Sequence, residues 1–436
     1  MTKRVVVTGL GEVTPLGNDV RTTWENMKKG VSGIDTVTKF DASEYKCSLA
    51  GEVRGFDPTL CMPKGELRKT DLYTQYAVAA ATQAYEDSGM TAESIAPDRF
   101  GVYIGSGIGG INTLITEHTK FLEKGPSRVS PFFVPMMISN IASGTVAIKY
   151  NAQGPNIGIV TACATSTNSI GEAYRAIKHG YADAMLAGGS EAAIVPMCFA
   201  GFISCQALSQ ATDKDRASIP FDKARGGFIM GEGGAVVMLE EYEHAKARGA
   251  KIYAEVVGYG CTNDAYHMTA PNPEAVASAR AIELAAKEGG VTADGHRYIN
   301  AHGTGTPLND HTETAAIKPV FGHDAYKVHV SSTKSMTGHM LGAAGGVEAI
   351  AAILALDEGV IPPTINYKVK DEECDLDITP NEAVRAELKF ALSTSLGFGG
   401  HNGCLAFKNT RQAKLSAACS ATLTPFFSFS LRSDPV

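Results

Sequence analysis

The sequence predicts an α/β protein with a largely parallel sheet that is covered by helices on both faces. Short runs rich in Val and Ile, many of them ending in glycine, alternate along 436 residues with longer stretches in which apolar residues recur at helical spacing. Continuously apolar strands separated by helices are typical of parallel sheets buried on both faces. The length suits two fused units or one large domain rather than one simple core.

The individual elements follow from these runs in chain order. The predicted strands cover residues 4–9, 100–107, 156–162, 183–192, 233–240, 253–260, 298–305, 328–333, 390–400 and 403–408. The clearest helical spacing predicts helices over residues 71–89, 274–290 and 342–359.

The two parts of the chain show a hint of internal duplication. In "IVTACATSTNSIGEAYRAI" (159–177) and in "VHVSSTKSMTGHMLGAAGGVEAIAAILAL" (328–356), a strand is followed by a turn with reactive residue types and then by a helix of small residues. This predicts two related halves that face a shared site, although tight packing of Ala/Gly-rich helices is an alternative explanation. The Ser/Thr-rich segment 412–436 is predicted to be a poorly ordered extension.

Composition and charge exclude several classes of protein. The net charge of -7 makes nucleic acid an improbable main partner, and no apolar run is long enough to predict a signal peptide or a membrane span. Nine scattered cysteines without a CxxC pair suggest reduced thiols and the cytoplasm. The "GSGIGG" segment (105–110) lacks GxGxxG spacing, no P-loop motif occurs, and the histidines lack a metal-binding context.

Four segments carry residues suited to catalysis. Cys163 follows an apolar run and precedes a helical pattern, so the helix dipole favours its thiolate, although a small residue at a crowded turn is the alternative. His302 lies in the glycine-rich "HGTGTP". Lys334 and His339 lie in "SSTKSMTGHMLGAAGGVEA" with Glu348, where a structural ion pair of the lysine and the glutamate is equally plausible. The glycine-rich "SLGFGGHNG" (395–403) is interpreted as a mobile flap or as a hairpin tip.

Taken together and in this order, these segments resemble the β-ketoacyl-acyl carrier protein synthases, above all the elongating type II enzymes of bacterial fatty acid synthesis. The resemblance covers about residues 3–408 and extends to "GPNI", "TACATS", "RGGFIMGEGG" and "NDAYHMTAP". It implies a thiolase-like fold with two similar βαβ-type halves in five layers (α-β-α-β-α) and a homodimer. The expected halves are residues 1–250, which carry Cys163, and residues 251–411, which carry the two histidines and Lys334.

The resemblance also implies a reaction. Cys163 would take the acyl group from a carrier protein, and His302 and His339 would bind the thioester carbonyl of malonyl-carrier protein while CO2 is lost. The resulting carbanion would attack the acyl group and give a 3-oxoacyl thioester, with no metal or redox cofactor. The backbone N–H groups of Cys163 and Phe398 would form the oxyanion hole, and Lys334 and Glu348 would support the histidines.

Further roles are implied by position in the family's motifs. Phe398 would be a gate between the acyl and malonyl sites, Thr304 and Thr306 would contact the pantetheine arm or the malonyl group, Ile108 and Phe202 would line the acyl pocket, and Phe133 would reach across the dimer. Basic residues that would bind the acidic carrier protein are Lys64, Arg68, Lys69 and Arg128. Three departures from the family's usual residues, Gln206, Leu396 and His401, bear on carrier affinity and gate mobility.

Other members of the superfamily are the alternatives. Initiating synthases carry asparagine in place of the second histidine, degradative thiolases lack "HGTGTP" and normally use a second cysteine, and non-catalytic chain-length factors carry glutamine in place of the nucleophile. A polyketide-type ketosynthase and a thiolase-like acyltransferase remain open, as does the preferred chain length.

Overall fold

Within residues 2–292 and 296–410, which the computed structural model describes, a nine-stranded sheet forms the framework. The strands are β1 Val5–Val13, β2 Ile34–Thr36, β3 Leu49–Gly51, β4 Phe100–Gly105, β5 Ala184–Glu191, β6 Gly233–Glu241, β7 Ala254–Asn263, β8 Arg297–Asn300, β9 His329–Ser331, β10 Val360–Ile361, β11 Val384–Arg385, β12 Phe390–Gly397 and β13 His401–Asn409. The predicted tail, 412–436, lies outside the described residues.

The helices connect these strands and cover them. They are α1 Val20–Lys28, α2 Lys64–Leu67, α3 Leu72–Ser88, α4 Ile111–Lys124, α5 Phe133–Met137, α6 Ile141–Tyr150, α7 Thr165–Lys178, α8 Pro196–Ser204, α9 Tyr242–Ala247, α10 Val276–Gly289, α11 Pro307–Phe321, α12 Lys334–Thr337 and α13 Ala344–Glu358. The three helices predicted from spacing are confirmed as α3, α10 and α13. None of the helices in the described residues combines the length and the apolar character that crossing a membrane requires.

The sheet is mixed, so the expectation of a largely parallel sheet is wrong. Its strand order is β4-β5-β6-β1-β7-β13-β12-β8-β9. The pairs β4–β5, β8–β12 and β8–β9 are parallel. The other five pairs in this order are antiparallel. Both parallel and antiparallel strands in the middle of this sheet are covered on both faces, and burial on both faces gives either kind the same continuous apolar pattern.

The predicted buried strand at 156–162 is also wrong. Only Asn156 forms a bridge, to Val102 of the edge strand β4, and the side chains of Ile157 and Val160 are about half exposed. Apolarity alone indicated burial, but in this chain the segment lies on the outside of the sheet edge. Its exposed apolar side chains are therefore available to another surface.

Five layers arise because the sheet folds around two central helices. Helix α3 packs on β1, β5 and β6 on one outer side, and α10 packs on β7 and β13 on the other. Helices α7 and α13 contact each other between the two halves of the sheet and supply much of the largest apolar cluster. The antiparallel pair β1–β7 joins the halves into one sheet. The division of the chain at residue 250 stays a prediction.

The expected duplication is visible in the turns that precede the two central helices. Each turn is a three-residue 3₁₀ helix, Ala162–Ala164 before α7 and Leu341–Ala343 before α13. Each begins with a non-glycine residue at positive φ, 51° at Ala162 and 48° at Leu341, a strained conformation that surrounding structure must hold in place. The helices approach so closely that a Cβ atom at Gly345 would lie 2.1 Å from Oγ1 of Thr167.

Candidate active site

A cavity of about 370 Å³ is lined by Cys163 from the turn before α7, by His339 from the segment ahead of the turn before α13, and by the ends of β12 and β13. Seven of the residues selected from the sequence line this cavity: Cys163, Phe202, His302, Thr304, Thr306, His339 and Phe398. Two of the departures from the family pattern, Gln206 and Leu396, line it as well. The fold therefore brings residues from both halves of the chain into one site.

Cys163 lies in the strained turn directly before α7. Burial raises the pKa of its thiol to about 12, although the charge of Lys334 and a hydrogen bond from the backbone N–H of Phe398 act in the opposite direction. The sequence predicted that the helix N-terminus favours the thiolate. Burial therefore acts against the helix N-terminus, and the thiol has to lose its proton before the sulfur attacks.

His302 is held by a buried carboxylate that the sequence reading did not single out. The backbone N–H groups of His302 and Gly303 each donate to Glu313 of α11 at 2.7 Å, and Thr394 Oγ1 donates to it at 2.6 Å. Burial raises the pKa of Glu313 to about 7. These three bonds fix a glycine-rich loop whose own side chains could not hold it rigid.

Lys334 determines the tautomer of His302. Its Nζ lies 3.2 Å from Nδ1 of His302 and also forms a buried ion pair with Glu348. A protonated lysine has only donors, so Nδ1 of His302 must accept, and the ring hydrogen lies on Nε2. Burial and the Lys334 charge hold the pKa of His302 well below its usual value, so the ring is neutral.

His339 has the same tautomer for a different reason. The backbone N–H of Leu341 donates to Nδ1 of His339 at 3.3 Å, and an amide can act only as a donor. Burial, with a contribution from Lys334, lowers the pKa of His339 well below its usual value. Both imidazoles are therefore neutral and carry their hydrogen on Nε2. They are arranged edge to face, with ring centroids 5.1 Å apart and an interplanar angle of 85°.

The thiol and the two imidazoles converge on a small volume. Sγ of Cys163 and a ring nitrogen of each histidine all lie within 4.8 Å of one another, and no other cluster in the described part of the chain meets the same test for a metal-binding group. The chemistry of this set suits two hydrogen-bond donors beside a nucleophile. A divalent cation in the same place would meet the ammonium group of Lys334 next to His302.

The segment around Phe398 is the tip of the β12–β13 hairpin and is tied to a neighbouring loop. The N–H of Gly399 donates to the carbonyl of Met268 at 2.7 Å, and Nδ2 of Asn263 donates to the carbonyl of Gly399 at 2.8 Å. The ring of Phe398 lies 6.3 Å from that of Phe202, centroid to centroid, across the cavity. The segment is therefore a hairpin tip, and its mobility as a flap stays a prediction.

The remaining predicted residues lie away from this cavity. Lys334 and Glu348 are buried behind the histidines. Ile108 is in the loop between β4 and α4, and Phe133 begins α5; neither lines the cavity. The four predicted basic residues are exposed on α2, just after it, and after α4: Lys64, Arg68, Lys69 and Arg128. The third departure, His401, begins β13, with its ring against Gly399.

Sequence reasoning missed several groups that shape the site. Glu313 follows His302 by 11 residues and lies in α11, the helix that begins directly after Thr306. Asp264 accepts from Nδ2 of Asn402 at 2.7 Å beneath the hairpin tip. Phe228 packs its ring edge to face with His339 at 5.1 Å. Acidic residues inside or beside the quoted motifs were the available signal, but only the hydrogen bonds that Glu313 and Asp264 accept in the folded chain distinguish them from solvated carboxylates.

Comparison with known proteins agrees with this arrangement. The family model "Beta-ketoacyl synthase, N-terminal domain" matches residues 2–245, and "Beta-ketoacyl synthase, C-terminal domain" matches residues 253–368. The chain belongs to the β-ketoacyl synthase family. It is 52% identical over 406 residues to 3-oxoacyl-[acyl-carrier-protein] synthase 2 of Staphylococcus aureus (strain COL), which covers 93% of this chain and 98% of that relative.

Solved structures confirm the ketosynthase fold, which is thiolase-like. The ishigamide ketosynthase/chain length factor aligns with a TM-score of 0.88 at 35% identity, covering 94% of this β-ketoacyl synthase and 100% of that chain. AntDE:AntF, described as a type II PKS acyl-carrier protein in complex with its ketosynthase bound to the hexaketide, aligns with a TM-score of 0.85 at 35% identity over the same shares.

Proposed function

We propose that this β-ketoacyl synthase elongates acyl chains by decarboxylating condensation of an acyl group on Cys163 with malonyl-acyl carrier protein. The products are 3-oxoacyl-acyl carrier protein, CO2 and free carrier. The single observation that carries the proposal is that a ring nitrogen of each of two histidines lies within 4.8 Å of the sulfur of Cys163, while the Nδ1 atom of each ring already faces a donor. Such a set suits a reaction in which negative charge develops on a thioester oxygen.

The first step transfers the acyl group. The sulfur of Cys163 attacks the carbonyl of the acyl-carrier thioester, and the carrier leaves as a thiol that takes up the proton lost by Cys163. The backbone N–H of Phe398 already points at Sγ of Cys163, which supports a role for it, with the N–H of Cys163, as oxyanion hole.

The second step forms the new bond. The malonyl carboxylate leaves as CO2, and the electron pair of the broken C–C bond moves into an enolate whose oxygen accepts from Nε2–H of His302 and His339. Because both imidazole rings are neutral, they can donate these hydrogen bonds without carrying a full positive charge. The carbanion attacks the acyl carbonyl, and Cys163 leaves as thiolate and takes up a proton from solvent. Loss of CO2 drives the step, so the proposal includes no metal or redox cofactor.

The remaining site residues have proposed roles in binding. Thr304 and Thr306, whose hydroxyls lie 2.9 Å apart at the cavity wall, contact the pantetheine arm or the malonyl group. Phe398 is the gate, and Phe202 packs against it in the acyl pocket. Ile108, which does not line the described cavity, is proposed to contact the acyl chain from the neighbouring loop. Lys334 and Glu348 keep His302 in its donor tautomer.

The partner is an acyl carrier protein. The AntDE:AntF structure contains a ketosynthase with such a carrier, which supports the same class of partner for this relative. Lys64, Arg68, Lys69 and Arg128 are proposed as the contact for its acidic surface, since charge at a surface patch steers association even when the net charge is negative. Lys69 also pairs with Glu66 at 3.0 Å, so part of its charge is compensated in the free protein.

A homodimer is proposed from the surface next to β4. The segment 156–160 leaves an incompletely paired edge of the sheet, and apolar side chains are exposed on this segment and on the neighbouring elements α4 to α6: Leu114, Phe121, Leu122, Phe132, Val134, Ile148, Ile157 and Val160. A second copy would cover them, and Phe133 on α5 would lie within reach of that copy. Exposed edges and large apolar patches are commonly covered by a partner.

Three further assignments complete the proposal. The eight cysteines of the described residues are all free, which supports a reducing compartment such as the cytoplasm. The higher identity to synthase 2 of fatty acid synthesis than to the polyketide-type structures supports fatty acid elongation. The proposed division of labour assigns Cys163 to residues 1–250 and both histidines to residues 251–411.

The decisive experiment incubates the purified protein with acyl-carrier and malonyl-carrier protein. We expect equal amounts of CO2 and of a 3-oxoacyl product two carbons longer than the acyl donor. Cys163→Ala should form no product, whereas Cys163→Gln should still release CO2 from malonyl-carrier protein, because a neutral amide imitates the acyl-enzyme. Wild-type protein that forms neither CO2 nor elongated product would refute the proposal.

A further inference from the structure

Glu191 ends strand β5 as a fully buried carboxylate that accepts four hydrogen bonds. Its Oε1 accepts from Oγ of Ser106 at 2.8 Å and from the N–H of Ile108 at 3.2 Å. Its Oε2 accepts from the N–H of Gly107 at 2.9 Å and from the N–H of Gly342 at 3.0 Å. One side chain thus joins the loop after β4 to the turn before α13.

Both segments lie against the nucleophile turn. A Cβ atom at Gly107 would lie 2.7 Å from Oε2 of Glu191 and 3.5 Å from the carbonyl oxygen of Ala162, the residue before Cys163. The loop 106–108 therefore packs against the residue that precedes the nucleophile.

The turn before α13 connects Glu191 to the second histidine. The N–H of Gly342 donates to Glu191, and its carbonyl accepts from Oγ of Ser166 on α7. The preceding residue, Leu341, is held at a φ of 48° and donates its own N–H to Nδ1 of His339. The bonds at Gly342 hold the strained turn that sets the tautomer of His339.

We propose that Glu191 is a positioning residue that fixes the wall of the acyl pocket beside Cys163 and, through Gly342, the turn that orients His339, and that it thereby sets which acyl chains reach the thiol. This inference rests on the proposed function, in which Cys163 carries the acyl group. It adds a specificity determinant outside the motifs that carry the reactive residues.

Replacing Glu191 by glutamine makes a sharp test, because the carboxamide cannot satisfy these donors. If its NH2 group takes the place of Oε2, it faces two backbone N–H groups. If it takes the place of Oε1, it faces the N–H of Ile108, while Ser106 can rotate its hydroxyl to accept. The second arrangement keeps the bond to Gly342 and releases Ile108, so Glu191→Gln is expected to loosen the pocket wall more than the His339 turn.

The experiment uses alkylation, which needs a reactive thiol but no condensation. Wild-type and Glu191→Gln proteins are treated with N-alkyl iodoacetamides of short and long alkyl chain, and modification of Cys163 is followed by peptide mass. For each protein, the rate of Cys163 alkylation by the long-chain reagent is divided by the rate with the short-chain reagent. We expect this ratio to differ about tenfold between Glu191→Gln and wild type, which corresponds to the free energy of one lost hydrogen bond to a charged group. The matched control is Glu52→Gln, since Glu52 is also buried and accepts three hydrogen bonds, from Thr38 and Lys39.

An equal shift in Glu52→Gln, or an unchanged ratio in Glu191→Gln, overturns the inference. If Glu191→Gln does not fold, Ser106→Ala provides the same test, because it removes one donor to Oε1 and the acceptor for the N–H of Gly109. The ratio should then change in the same direction by a smaller factor, and no change would refute the role of Glu191. Failure of the proposed function is recognised separately, by wild-type protein that is alkylated normally but makes no 3-oxoacyl product.

Discussion

Nζ of Lys334 lies 3.2 Å from Nδ1 of His302, so a buried lysine directs the hydrogen of the neighbouring imidazole to the side of the cavity. The charge of the lysine is balanced by Glu348 on the far side. A single contact thus explains why a histidine can be a donor and stay neutral in a site that also has to lower the energy of an enolate.

Lys334→Met should remove this control of the tautomer. We expect decarboxylation of malonyl-carrier protein to fall about 100-fold, the typical effect of losing one well-placed donor. The variant also leaves Glu348 buried without its partner, which costs about 3–5 kcal/mol of stability. The control is the double variant Lys334→Met/Glu348→Gln, which should recover stability in urea titration but not decarboxylation; recovered decarboxylation would contradict the role in tautomer choice.

Glu313 should make the stability of the protein depend on pH. Burial raises its pKa from 4.5 to about 7, so between these values the folded state binds a proton that the unfolded state has released. The contribution of Glu313 to the free energy of unfolding is therefore complete below pH 4.5 and is lost as pH rises to 7, a fall of about 3 kcal/mol.

The measurement is urea unfolding of wild type and Glu313→Gln across this pH range. His302 and His339, whose pKa values are lowered, have the opposite effect, since their contribution is lost as pH falls below 6.5. Both proteins contain the two histidines, so the histidine contribution cancels when the free energy of unfolding of Glu313→Gln is subtracted from that of wild type. The difference should shrink as pH rises from about 4.5 to 7, and a difference that stays constant would contradict the raised pKa.

The thiol of Cys163 should show its raised pKa in its reactivity. Alkylation by iodoacetamide should increase about tenfold per pH unit up to at least pH 9, because the thiolate fraction grows by that factor below the pKa. Rates are read from the peptide that contains Cys163, with Cys163→Ser as the blank. A rate that levels off below pH 8 would show that the helix N-terminus dominates over burial.

The exposed edge beside β4 should be covered in solution. Val160→Asp places a charge on the incompletely paired segment and should shift the protein from dimer to monomer in light scattering at micromolar concentration. Val276→Asp is the matched control, because this valine is similarly exposed, at the start of α10. A wild-type protein that is monomeric, or a Val160→Asp variant that remains dimeric, would contradict the proposed interface.

The sequence predicted most of the strands because their apolar runs are buried, but it could not give their direction. Strand β13 and strand β4 have the same apolar pattern, although one pairs antiparallel and the other parallel with its neighbours. The apolar pattern also does not guarantee burial. The segment that contains Ile157 and Val160 has the pattern of a buried strand but lies at an exposed edge. A pattern reports that a residue avoids water, not what covers it.

For the site, the sequence by itself determined the family and the candidate reactive groups, because Cys163, His302 and His339 stand in motifs whose order is specific to one family. Only the tertiary structure decided their chemical state. The neutral imidazoles, their shared tautomer and the raised pKa of the thiol depend on burial and on partners such as Lys334 and Leu341. Dielectric environment and hydrogen-bond direction are properties of packed neighbours, and residues that are adjacent in space are far apart in the chain.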